Sequence, residues 1–181
     1  MAEPFIASIK SFRATPVIQL VATCTGCGPA LDLELEYVLE GEGYGGTASN
    51  PRGGIPPLSG VNLFLPAGVQ VHPAGFAQCT EATLKNVGPS GCAATSSVSN
   101  IGEAQDDVTF GSSRAPEEAT LQAFVSAGGL VLFEHGASPV NVEVIWSGQF
   151  ASSHAPPYEE ELIGVLPVRR LGARSAPAVD S

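Results

Sequence analysis

Four cysteines, three histidines and a scatter of carboxylates are the side chains of this 181-residue chain whose types suit metal, redox or hydrolytic chemistry. Cys24-Thr25-Gly26-Cys27 has the CxxC spacing. A four-cysteine zinc site usually uses that close spacing twice, and Cys79 and Cys92 do not supply a second close pair. A redox CxxC opens a helix whose N-terminus lowers the thiol pKa. Here the motif runs into Gly28-Pro29 and a strand pattern instead. An even cysteine set in a Gly/Pro-rich chain points rather to disulfides and an oxidising compartment. Cys24 and Cys27 are expected either to pair locally or to stay as thiols, with no bound metal.

Gly41-Glu42-Gly43-Tyr44-Gly45-Gly46 matches GxGxxG in form. A dinucleotide site needs those glycines to open a helix that meets the pyrophosphate. Thr47-Ala48-Ser49-Asn50-Pro51 follows, and Glu40 and Glu42 would repel phosphate, so the segment reads as a loop and no cofactor is expected. No GxSxG nucleophile elbow occurs. His72, His135 and His154 show neither HxH nor HxxxH spacing, so no catalytic or zinc-binding role is assigned to them. Asp106-Asp107 and Glu159-Glu160-Glu161 offer hard oxygen ligands, but adjacent residues of a strand point to opposite faces and no calcium loop is present. Of the aromatic residues, Tyr44 in a glycine loop and Tyr158 after Pro156-Pro157 are expected to be exposed as candidate glycan contacts, with Phe150 a further candidate. Trp146 shares parity with Val140, Val142 and Val144 and is expected in the core.

Eighteen acidic residues against eight basic ones give a formal net charge of −10. Such a surface repels nucleic-acid backbones and anionic membranes. No run approaches the roughly 20 apolar residues that span a bilayer, so neither nucleic acid nor membrane insertion is expected. Met1-Ala2-Glu3-Pro4 has neither a basic n-region nor an apolar h-region. Export is still expected from the cysteines, with a signal peptide replaced by an initiator Met.

The elements that must position these residues read as strands. Leu31, Leu33, Leu35, Tyr37 and Leu39 alternate with Asp32, Glu34, Glu36 and Glu40, the signature of a half-buried strand with an acidic outer face. Segments 119–127 and 139–147 alternate similarly, and shorter strands are expected at 5–13, 16–23, 61–65, 96–103, 107–110, 129–134 and 161–168. Gly 21 and Pro 15 punctuate the chain and argue against long helices. One short helix is expected after Thr80, ended by Gly88-Pro89. With 44% hydrophobic residues, a single domain over 1–168 has a sizeable core, carrying a long Gly/Pro-rich loop at 41–60 and a loosely held tail at 169–181. The fold class expected is all-β: an antiparallel β-sandwich, Ig-like or jelly-roll-like, with one short helix.

The middle of the chain carries a series of motifs in order. Leu63-Phe64-Leu65-Pro66-Ala67-Gly68 leads to His72-Pro73-Ala74-Gly75-Phe76-Ala77-Gln78-Cys79 and Gly88-Pro89-Ser90-Gly91-Cys92. Val108-Thr109-Phe110-Gly111, Pro116–Phe124 and Glu134-His135-Gly136-Ala137-Ser138-Pro139-Val140 follow. Over about 61–150, and more weakly toward 168, this run resembles a group of exported, functionally uncharacterised β-rich actinobacterial proteins. The resemblance implies export, β architecture and a Cys79–Cys92 disulfide, and brings no catalytic residue with it. Chains of that group continue with a further β segment where this one ends, so an unpaired sheet edge and self-association or partner pairing through it are expected. The function expected is a non-enzymatic structural or interaction module of the cell envelope or extracellular space. A glycan-binding module is the alternative, and a hydrolase without a recognisable motif comes third.

Overall fold

The computed structural model describes residues 6–19, 30–42, 59–65, 67–69, 71, 73, 75–110 and 113–166. The chain groups into two compact units, Met1–Pro57 and Leu58–Ser181; the single domain expected over 1–168 takes in the whole of the first and most of the second.

In the first unit, strands β1 (Ile6–Gln19) and β2 (Ala30–Glu42) form an antiparallel pair. The register sets Ile18 opposite Leu31, Ala14 opposite Leu35, Phe12 opposite Tyr37 and Ile9 opposite Leu39. Apolar positions of one strand therefore meet apolar positions of the other, which is what fixes register in an alternating strand. Within 6–19 the expected strands 5–13 and 16–23 are one strand, because Pro16 sits opposite Leu33 without ending it; residues 5 and 20–23 lie outside the described residues. Each strand of a two-stranded sheet has one side free of a ladder, where proline is tolerated. The side chains of residues 6–41, including the acidic face expected on β2, lie outside the described residues, as do Cys24, Cys27, Tyr44 and the tail 169–181.

The second unit is one six-stranded antiparallel sheet, ordered β3 (Gly60–Leu65), β8 (Glu160–Val165), β7 (Val142–Ser152), β6 (Gly129–Ser138), β5 (Ser113–Ser126), β4 (Gly102–Phe110). It curls into a half-barrel. The second stacked sheet of a sandwich is not seen among the described residues of this unit, so the all-β antiparallel class stands in its coarser form. Strands β4 to β8 follow one another as a meander, and only β3 is placed out of sequence, on the outer side of β8. The β5–β6 turn is tight because Gly128 takes φ +77°, which costs glycine little.

Helix α1 (Glu81–Val87) forms where the sequence predicts it. Thr80 caps it by accepting the N–H of Thr83, and Gly88 at φ 76° ends it with its N–H on the Leu84 carbonyl. Leu84, Cys79, Phe124, Val131 and Phe133 form the buried cluster, with Cys92 and Ile145 packed against it. This cluster lies between the stapled helical segment and one face of β5–β6–β7, while Leu65, Val125 and Leu162 are buried on the other face of the sheet. The cysteines Cys79 and Cys92 are bonded, their Cα atoms 5.4 Å apart.

Several boundaries move. Strand β5 begins at Ser113, ahead of the expected 119–127, β6 runs on past 134 to Ser138, and 107–110 is the end of β4. Segment 96–103 is a short 3-10 turn at Ala94–Ser96, an isolated bridge from Ser97 to Phe124, and then β4 from Gly102. Segment 139–147 starts late: Pro139 and Val140 lie in the β6–β7 turn and β7 runs from Val142. Loop 41–60 is shorter, since Gly41 and Glu42 belong to β2 and Gly60 to β3. Trp146, expected in the core, is half-buried. A Cβ at Gly164 would meet its ring at 2.6 Å, so the indole lies flush on the β8 backbone.

Candidate functional site

The two edges of the six-stranded sheet differ in chemistry. Strand β4 carries Glu103, Asp106 and Asp107, and charge of one sign is a common guard against edge pairing. Strand β3, Gly60-Val61-Asn62-Leu63-Phe64-Leu65, has no charged residue and no proline. Among the described residues it pairs with β8 alone.

Its hydrogen-bonding parity follows from the ladder. Gly60 faces Val165 and Leu65 faces Glu160, and in the same register the Leu166 N–H donates to the Ser59 carbonyl at 3.0 Å. In an antiparallel pair, bonded and non-bonded positions alternate. Val61, Leu63 and Leu65 therefore spend their backbone groups on β8. Gly60, Asn62 and Phe64 turn theirs outward along the edge.

The side chains alternate in step. Leu65 is buried, whereas Phe64 is 38% exposed. Across the ladder, Phe64, Asn62 and Gly60 share a face with Glu161, Ile163 and Val165. Ile163 and Val165 are exposed, the latter 67%. Tyr158, 40% exposed, brings its ring centroid to 5.3 Å from that of Phe64 at a 34° tilt. The result is an apolar strip alongside an edge that no other described strand pairs with.

The acidic run beside this strip holds it in place. The β7–β8 turn is closed by Tyr158 N–H on the Ala155 carbonyl and Ser153 N–H on the Glu159 carbonyl. Glu159 then accepts the Gly68 N–H at 3.2 Å, and Glu160 accepts the Val71 N–H at 3.3 Å. Two of the three carboxylates read as solvated charge thus tie the segment after β3 to the start of β8. Among the described residues no group of three or more His, Cys, Asp or Glu side chains could hold a metal ion.

The remaining candidates are separate. His154 is exposed, and His72 lies outside the described residues. His135 is half-buried on β6, its ring stacked on Phe133 with centroids 6.3 Å apart and its Nδ1 buried without a hydrogen-bond partner. Glu117 is only 2% exposed, and its carboxylate accepts the N–H groups of Ser138 at 2.9 Å and Val140 at 3.2 Å. It lies over Gly136, where a Cβ would collide with it. Strand alternation puts Gly136 and His135 on opposite faces, so the buried carboxylate belongs to the β6–β7 turn and faces away from the histidine.

Sequence reasoning singles out Tyr158 but misses Phe64, Ile163 and Val165. An almost wholly apolar strand such as β3 has no polar parity to show which face is open. Among the described residues no helix is long and apolar enough to cross a membrane. No family model, curated protein or solved structure matches the chain.

Proposed function

We propose that this protein is an exported, non-enzymatic interaction module that recruits an extended partner strand to the β3 edge. The single observation that carries this reading is the uncharged edge itself: Gly60, Asn62 and Phe64 turn their backbone groups outward beside an exposed apolar strip. Main-chain hydrogen bonds supply affinity in such strand addition, and pockets or strips for alternate side chains supply selectivity. Export is supported by the Cys79–Cys92 bond and by the resemblance noted in the sequence. The finer sandwich reading draws support from apolar rows on both faces of the sheet, with Phe124, Val131 and Phe133 on one and Leu121, Leu132 and Trp146 on the other.

The test is amide NMR with lysine-flanked peptides of alternating Val and Thr. Addition at the edge shifts the amides of Gly60, Asn62 and Phe64 and leaves those of β4 in place. Asn62→Pro removes one outward donor without touching the β8 ladder, and should abolish the shifts while keeping the fold. Unmoved edge amides at every peptide concentration would end this reading.

A glycan-binding module is the second reading, favoured by the exposed Phe64–Tyr158 ring pair. It requires neutral oligosaccharides to shift the Phe64 and Tyr158 ring signals without any need for the Asn62 N–H.

A further inference from the structure

We propose that the partner is a second copy of this chain, paired antiparallel through β3 about a two-fold axis at Asn62. This rests on the edge reading and adds the occupant and the register. Three pairs of outward residues are available, Gly60, Asn62 and Phe64 on each copy. Only the register that sets Asn62 opposite Asn62 of the second copy, and Gly60 opposite Phe64, engages every outward N–H and C=O. Sliding by one pair in either direction leaves donors and acceptors of Gly60 or Phe64 without a mate.

The side chains agree with that register. On the exposed face, Gly60 leaves a notch beside Val165, and that glycine is demanded by its own sheet, since a Cβ there would meet the Gly164 carbonyl at 2.8 Å. The Phe64 ring of the second copy falls opposite this notch and covers Val165, the cross-strand pairing of an aromatic with an edge glycine. The same happens at the symmetric position. At the axis two Asn62 carboxamides face one another and can exchange donor and acceptor. On the opposite face Val61 meets Leu63 of the second copy.

No position of this pairing places like charges together. Repeating it with β4 would bring acidic strands, with Glu103, Asp106 and Asp107, against each other, which like-charge pairing penalises. The chain as a whole carries −10, so two copies repel at long range while the seam itself is neutral. Salt screens the first term and leaves the second. Self-pairing therefore strengthens as ionic strength rises, the reverse of an interface made by ion pairs. A six-residue strand with a short apolar strip makes a small, reversible interface rather than an obligate one.

The experiment combines sedimentation equilibrium of the full chain with site-directed cross-linking. Wild-type protein is expected to show a monomer–dimer equilibrium that shifts toward dimer with added salt, and Asn62→Pro should weaken it about tenfold or more. Asn62→Cys should cross-link to itself on mild oxidation, with the linked peptide mapped by mass spectrometry. Phe64→Cys should not, because its opposite residue is Gly60. Cross-linking at Phe64→Cys without Asn62→Cys would overturn the register. A monomer at millimolar concentration in high salt, with no Asn62→Cys cross-link, would overturn self-pairing. The peptide titration is run at low salt and at protein concentrations where sedimentation shows monomer, so the edge amides are free of a second copy and the shifts judge the edge reading separately.

Discussion

Ser147 of β7 donates its hydroxyl to the Glu81 carboxylate of α1 at 2.7 Å, and this bond joins the helix to the sheet. Glu81 also accepts from Lys85, one turn on, at 3.1 Å. The Ser147 hydroxyl foremost, and then the Lys85 ammonium, hold the Glu81 carboxyl below its ordinary value of 4.5, against a weaker upward push from burial. A carboxyl lowered on folding contributes stability above its unfolded-state value and loses it as pH falls through the folded value. Chemical denaturation across pH should therefore show Glu81→Gln losing stability relative to wild type at neutral pH and converging with it in acid. Ser147→Ala should cost about 0.5–1 kcal/mol, less than is usual for a bond to a charged group because Glu81 is partly in water.

Glu117 is the other carboxylate with a defined task. It replaces the turn's missing acceptors by taking the N–H groups of Ser138 and Val140. Glu117→Ala should cost about 1–3 kcal/mol in all, because the exposed Ser138 and half-buried Val140 N–H groups it releases can turn in part to water. Gly136→Ala should also destabilise, because its Cβ would run into the Glu117 carboxylate. A double-mutant cycle read by urea unfolding checks the link: Gly136→Ala should do much less harm once Glu117 is Ala. Additive effects would mean the two residues do not share that space.

The Cys79–Cys92 bond closes a loop with a sequence separation of 13, and that loop contains α1. Loop closure of this size stabilises by about 3 kcal/mol in the chain-entropy model. Replacing both cysteines by Ala should lower stability by roughly that amount, measured by denaturation under non-reducing conditions, and the two variants should converge when the wild type is reduced. Leu84, 1% exposed in the same segment, should cost about 2–5 kcal/mol on truncation to Ala.

What the sequence reveals depends on contrast between neighbouring residues. Acidic and apolar residues alternate through Leu31–Glu40, so β2 is legible, and the Thr80 cap and Gly88 stop bracket α1 within a residue. Pro16 hides the continuity of β1, because a proline that ends most strands is harmless on a side without a ladder. Pro139 hides the start of β7: Val140 has the parity of Val142 and Val144, but its N–H is claimed by Glu117 some twenty residues earlier. Long-range claims of this kind leave no local pattern. The same holds for the edge: β3 is visible as a strand, yet its outer position depends on β8, about a hundred residues on in the chain.

The two faces of β3 should separate stability from binding. Leu65 is buried against the sheet, while Phe64, its neighbour in sequence, is 38% exposed on the opposite face. Leu65→Ala removes buried methyl groups and should cost about 2–5 kcal/mol with thermal midpoint falling accordingly. Phe64→Ala removes a ring that is partly in water and touches Tyr158, so its cost should be smaller, about 1 kcal/mol, of which the ring pair supplies a share. On partner binding the order reverses. Phe64→Ala takes away the ring that the strip presents, whereas Leu65→Ala, at a temperature where it is folded, leaves edge and strip intact. Measured side by side, unfolding by urea and edge-amide shifts with the Val/Thr peptides should rank the two variants in opposite orders. The same ranking in both assays would mean that β3 faces the core on both sides and that its edge is no docking surface.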